Sequence, residues 1–91
     1  MFVVVSYDVV NNRRRNKIAE TLENYGTRVQ KSVFECILEP PRLATLIKEV
    51  TKLLEESEDT LRVYRLCDSC LSRVLVYGVG ELTKDEDVYI V

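Results

Sequence analysis

Phe2 to Tyr7 (FVVVSY) is a nearly unbroken run of β-branched and aromatic residues, the pattern of a central strand covered on both faces. Asn11-Asn12 supply turn and cap chemistry, with Asn12 as the N-cap. Ile18, Leu22 and Tyr25 then recur at helical spacing until Gly26 offers a C-cap, which predicts a helix over about 13–25. Arg28 to Leu38 has strand propensity throughout, with Val29, Val33 and Ile37 on one side and Phe34, Cys36 and Leu38 on the other. Pro40-Pro41 end it. Leu43, Leu46, Ile47, Val50, Leu53 and Leu54 form the apolar stripe of a second helix, about 41–56. Beyond the acidic turn Glu55 to Asp59, Leu61–Leu66 and Arg73–Val79 read as two strands of a hairpin joined by the CDSC connection. The closing run Val88-Tyr89-Ile90-Val91 is too apolar to be left in water, so it is expected to pair with another strand.

The order strand, helix, strand, helix, strand, strand predicts an α+β domain in which two helices cover one face of a sheet. The nearest simple match is the ferredoxin-like βαββαβ sandwich. That match requires residues 28–38 to supply two strands with a bend near Lys31-Ser32, where no Gly, Pro or Asn marks a turn. Residues 1–80 are read as the domain and 81–91 as a tail. A chain of 91 residues makes one small core, burying about 60–65% of its extended surface, and dimerisation would add to it.

Charge narrows the function. The net charge is -2 and the pI near 5.2, so any site for a polyanion must be local. Arg13, Arg14, Arg15, Lys17, Arg28 and Lys31 gather in the first third, while acids weight the rest. No apolar run is long enough to span a bilayer and no secretion signal is recognisable, which reads as a cytoplasmic protein with no membrane partner. Three cysteines are then expected as thiols. Cys67 and Cys70 have the C-x-x-C spacing, but a chain without histidine cannot complete a zinc site from one such pair. As a hairpin connection, the motif is also in the wrong place for a redox pair, which would open a helix after a strand. Glycine-loop nucleotide binding and histidine-assisted nucleophiles are excluded for want of the residues.

Arg13, Arg14 and Arg15 fall in the first turn of the first helix, where the macrodipole disfavours cations by about 0.3–1 kcal/mol each. Two readings remain: a solvated face, or a site for a nucleic-acid backbone. Asp8 ends an apolar strand, where sheets present catalytic or metal-binding groups, although a turn former would suit the position as well. One carboxylate makes a weak Mg²⁺ site; two copies of Asp8 about a two-fold axis would share an ion.

Together, YDV (Tyr7, Asp8), RRRNKIAETLENYG, RVQKSVFEC (Arg28, Ser32, Phe34) and LRVYRL resemble the small CRISPR-associated adaptation protein that partners the spacer integrase, also described as the CRISPR-associated endoribonuclease. The resemblance spans most of the chain. It implies a ferredoxin-like homodimer whose C-terminal strands extend the partner's sheet, and a Mg²⁺-dependent endonuclease acting on single-stranded RNA or double-stranded DNA. It implies Asp8 as metal ligand and catalytic residue, Arg13, Arg14, Arg15 and Arg28 as contacts to the nucleic acid, and Tyr7, Ser32 and Phe34 as residues shaping the dimer centre or the site. The alternative it leaves open is a non-catalytic dimeric scaffold that binds duplex DNA and bridges the CRISPR integrase.

Overall fold

The computed structural model describes residues 1–84. Its elements are β1 (Phe2–Asp8), α1 (Asn12–Glu23), β2 (Gly26–Gln30), β3 (Val33–Ile37), α2 (Pro40–Thr51), β4 (Thr60–Leu66) and a short α3 (Asp68–Leu71). The strands form one sheet in the order β2-β3-β1-β4, with every neighbouring pair antiparallel. This is the ferredoxin-like arrangement expected from the order of elements. The apolar first strand lies inside the sheet, between β3 and β4.

Alternation along the strands divides the sheet into two faces. Val5 pairs with Phe34 on one side and Val63 on the other, so the three share a row under the helices. Val3, Val5, Tyr7, Phe34 and Cys36 from the strands, Ile18, Ala19 and Leu22 from α1, and Leu43, Leu46 and Val50 from α2 close into one buried cluster. Each fully buried Leu, Ile, Val or Phe side chain contributes about 1.5–3 kcal/mol relative to exposure. The row one residue along, Val4 with Glu35 and Tyr64, faces away from the helices, and Tyr64 is half exposed. The backbone N–H and hydroxyl of Thr83 both donate to Glu35 Oε1, at 3.1 and 2.7 Å, bringing the chain beyond α3 back onto that face.

The break expected near Lys31-Ser32 is present: the two residues form the turn between β2 and β3. Other boundaries differ for local physical reasons. Asn11, not Asn12, caps α1, its Oδ1 accepting from the Arg14 N–H at 3.0 Å. Gly26 does not cap the helix; Asn24 does, and Gly26 opens β2. Glycine is needed there because a Cβ would run into the Glu35 carbonyl oxygen and Cys36 Sγ of β3. The second helix ends at Thr51 instead of 56; Leu53 and Leu54 prolong the apolar stripe after the helix has stopped, packing against the core from the following loop.

The largest correction concerns the C-terminal hairpin. Arg73–Val79 is not a strand, and Leu75, Val76, Tyr77 and Val79 stand exposed, with no strand beside them among the described residues. CDSC is therefore not a hairpin connection: Cys67 precedes α3, and Asp68, Ser69 and Cys70 lie within it. The run Val88-Tyr89-Ile90-Val91 lies outside the described residues, as does most of the segment read as a tail.

Candidate nucleic-acid interface

The end of β1, the loop into α1 and the β2–β3 turn enclose an open groove of about 550 Å³, lined by Asp8, Val9, Val10, Arg15, Asn16, Arg28, Lys31 and Ser32. Its floor is set by the core. Tyr7 and Phe34 are buried beneath it with ring centroids 6.4 Å apart. Strand alternation places Tyr7 inward, so Asp8, the last residue of the strand, is exposed at the rim.

The Lys31 carbonyl organises the turn. It accepts from the Tyr7 hydroxyl at 3.2 Å and from Arg28 Nε and Nη2 at 3.0 and 2.6 Å. The Tyr7 N–H donates to the Ser32 carbonyl at 3.1 Å, continuing the link to β1. Arg28 reaches this position because the ladder is bulged: Arg28 opposes Phe34 and Gln30 opposes Val33, leaving Val29 as the extra residue. The guanidinium of Arg28 lies 5.9 Å from the centre of the Phe34 ring. Burial raises the Tyr7 hydroxyl above the ordinary phenol range, with Arg28 and Arg15 pulling the other way, so Tyr7 is a neutral donor.

Arg15 braces the opposite wall, its Nε donating to the Val9 carbonyl at 3.1 Å and its Nη2 to the Val10 carbonyl at 3.3 Å. The groove thus gathers three cations, Arg15, Arg28 and Lys31, around a single carboxylate. Such a surface attracts phosphate by charge and offers it planar guanidinium donors, while the acid stands free for a metal or a proton. Among the described residues no three His, Cys, Asp or Glu side chains come together to hold a metal ion. Among the described residues a divalent ion would find one acid in this groove, Asp8.

Arg14 has a different setting. Its Nε donates to Asp59 Oδ2 at 2.9 Å and its Nη2 to Glu58 Oε2 at 2.9 Å. Asp59 is the anchor: its side chain is fully enclosed, and it also accepts from the Val10 N–H at 3.1 Å and the Glu55 N–H at 2.9 Å. The hydrogen bond from Arg14, aided by those two backbone donors, lowers the Asp59 carboxyl to about 2. One of the three cations crowded at the helix start is therefore neutralised by acids from the α2–β4 loop. Arg13 is exposed, and with Arg14 lines a separate groove on the far side of α1, beside Asn16, Lys17, Glu20 and Leu53.

The structure thus brings together Asp8, Arg15, Arg28 and Ser32, with Tyr7 and Phe34 beneath, and sets Arg13 and Arg14 apart. Lys31 and Asn16 belong to the groove although neither is among the site residues expected from the sequence. Lys31 is recognisable through the basic cluster of the first third and through the turn that it forms. Asp59 lies 45 residues from Arg14, beyond any local pattern.

Residues 1–74 match the family model described as "CRISPR associated protein Cas2". A "CRISPR-associated endoribonuclease Cas2 1" of Chloroflexus aurantiacus is 44% identical over the whole of both chains. A "CRISPR-associated endonuclease Cas2" of Halalkalibacterium halodurans is 42% identical over 99% of each. Among solved structures, Streptococcus pyogenes Cas2 superposes with a TM-score of 0.76 at 34% identity, covering 86% of this chain and 100% of that one. A chain of the "Partial Cas6-RT-Cas1--Cas2 complex" gives a TM-score of 0.73 at 27% identity, covering 89% and 98%. With a family match over most of its length and full-length relatives above 40% identity, the chain belongs to the Cas2 family of CRISPR-associated proteins.

Proposed function

We propose that the protein acts in CRISPR spacer acquisition as a homodimeric, Mg²⁺-dependent endonuclease, with Asp8 of each protomer at one shared site. The observation that carries this reading is the groove at the end of β1, where one exposed carboxylate stands among Arg15, Arg28 and Lys31. The kinship supports it: relatives bear the names endonuclease and endoribonuclease, and a structural neighbour belongs to a complex named for Cas1 and Cas2. The partner carried over from that complex is Cas1, the spacer integrase.

Two features favour a dimer. A lone acid fits Mg²⁺ poorly within one chain, whereas Asp8 and Asp8 of the partner subunit together match the one or two carboxylates by which the ion is usually held. Exposed Leu75, Val76, Tyr77 and Val79 also supply apolar surface for a second chain to cover. The two Asp8 carboxylates would hold Mg²⁺, which would there supply an activated water and charge stabilisation for phosphodiester hydrolysis. Arg15, Arg28 and Lys31 bind the flanking phosphates, whether of single-stranded RNA or double-stranded DNA. The Lys31 carbonyl and the Phe34 ring hold the Arg28 fork in place, and exposed Arg13 extends the positive surface along α1.

A second reading rests on what the groove lacks. Among the described residues its lining holds no second acid, and the chain has no histidine to serve as a base, which favours a scaffold that binds duplex DNA and bridges Cas1 without cutting it. Cleavage of labelled single-stranded RNA and duplex DNA, with Mg²⁺ or EDTA, separates the two. The nuclease reading expects metal-dependent cleavage that Asp8→Ala abolishes while binding persists. A folded wild-type protein that binds but never cuts supports the scaffold instead.

A further inference from the structure

We propose that Cys67 and Cys70 form a redox-active dithiol, in which Cys67 attacks a low-molecular-weight disulfide and Cys70 resolves the adduct into an internal disulfide. The role is independent of nucleic-acid cleavage. It follows from where the motif sits. The strand β4 ends at Leu66, Cys67 stands at the junction, and Cys70 lies one helical turn on within α3, three residues away and therefore on the same side of the turn. Both thiols are free and exposed.

The two sulfurs are not equivalent. Cys67 Sγ lies 3.2 Å from Ser69 Oγ. Hydrogen bonding from Ser69, then from Cys70, lowers the Cys67 thiol to about 7, while the interaction with Cys67 raises Cys70. This asymmetry divides the pair into an attacking and a resolving sulfur. An open groove of about 540 Å³, lined by Met1, Arg65, Leu66, Cys67 and Asp68, gives a small disulfide access to the first. Arg65 and Asp68 are its charged side chains, one of each sign. Cys36 is the contrast: buried in the core, with burial pushing its thiol up to about 11, it is protected from the same chemistry.

The exchange balances without another reactant. The Cys67 thiolate attacks one sulfur of the disulfide RSSR, the S–S bond breaks, and RS⁻ leaves with its electron pair. Cys70 gives its proton to solvent, and its thiolate attacks the Cys67 sulfur, expelling the second RS⁻. Two protein thiols are oxidised by two electrons as one RSSR is reduced to two RSH. The bond closes a ring at the point where the chain leaves the sheet for the exposed apolar segment Leu75–Val79.

The test treats the full-length, reduced protein with glutathione disulfide between pH 5.5 and 9.5 and follows it by intact mass. Wild type is expected to lose about 2 Da with little lasting adduct, whereas Cys70→Ser stops at a glutathione adduct on Cys67. In Cys70→Ser, which keeps Ser69 and the backbone donors, the rate midpoint is expected below the roughly 8.5 of an ordinary thiol. At pH 7 about half of wild-type Cys67 is thiolate, against about 3% for an ordinary thiol; reduced nucleophilicity takes back about fivefold, leaving an advantage of about threefold. Ser69→Ala, made in the Cys70→Ser background, is expected to move the midpoint upward. A Cys67 midpoint at 8.5 or above overturns the proposal. So does a wild-type protein that accumulates stable adducts, or disulfides between chains, in place of the internal bond.

Discussion

Replacing Arg28 by Gln removes one of the three groove cations and spares the ion pairs of Arg14. The magnitude follows from counterion release: each phosphate neutralised contributes about -0.9 to the slope of log K against log salt on duplex DNA. Arg15, Arg28 and Lys31 give three contacts per protomer, so a dimer engaging all of them has a slope of about -5 and loses about 10³ in affinity between 50 and 200 mM salt. Arg28→Gln, present in both protomers, is expected to flatten the slope by about 1.8. Arg14→Gln is the control, because Asp59 and Glu58 already neutralise that guanidinium, and its slope is expected to stay within experimental error of wild type. Fluorescence anisotropy with a labelled duplex across a salt series measures both. Thermal melts accompany it, since Arg28 also holds the Lys31 turn. An unchanged slope in Arg28→Gln, or an equal change in Arg14→Gln, would refute the assignment of the groove as the phosphate surface.

Three further outcomes follow from the packing. Asp59 titrates at about 2 when folded, against 3.8 ordinarily. The unfolded chain therefore binds more protons in that interval, and the stability from this carboxylate is complete above about pH 4 and lost as pH falls through 2. In melts against pH, the gap between wild type and Arg14→Gln should accordingly close below pH 2.5; a constant gap contradicts the pairing. Gly26→Ala presses a methyl group against the Glu35 carbonyl and Cys36 Sγ, and denaturant unfolding should show a loss of about 1–3 kcal/mol; a neutral result contradicts the close approach of β2 to β3. Tyr77→Ser, at a side chain 85% exposed in the single chain, should weaken dimerisation in sedimentation experiments while leaving the monomer's fold intact. Unchanged dimerisation would take Tyr77 out of the interface.

What was legible in the chain followed how local the cause was. Val3, Val5 and Tyr7 carry their strand in their own composition, and the stripe from Leu43 to Val50 carries α2. The turn at Lys31-Ser32 was visible as a necessity of the fold, since the run 28–38 could not serve as one strand. Where sequence and structure part, the deciding partner is distant or absent. Arg73–Val79 has the composition of a strand but no neighbour within the described chain to complete its ladder. Leu53 and Leu54 continued the helical period because the core needed them from the loop as well. Asp8, Arg15, Arg28 and Ser32 were readable as a group only through family resemblance, for they come from three separate segments. The ion pairs of Arg14 are not legible locally, because its partners, Glu58 and Asp59, arrive from the α2–β4 loop and tie that loop to the start of α1.

The central claim, that two chains complete one site around paired Asp8 side chains, is tested most directly by cleavage with mixed dimers. Wild-type and Asp8→Asn chains are mixed in equal amounts, unfolded and refolded together to randomise pairing, and assayed with Mg²⁺ on a labelled substrate. If both carboxylates are required, only dimers of two wild-type chains are active, and activity falls to about one quarter of wild type at the same total protein. Activity of about one half would mean that each chain holds a complete site of its own, and the account of a shared site would be wrong.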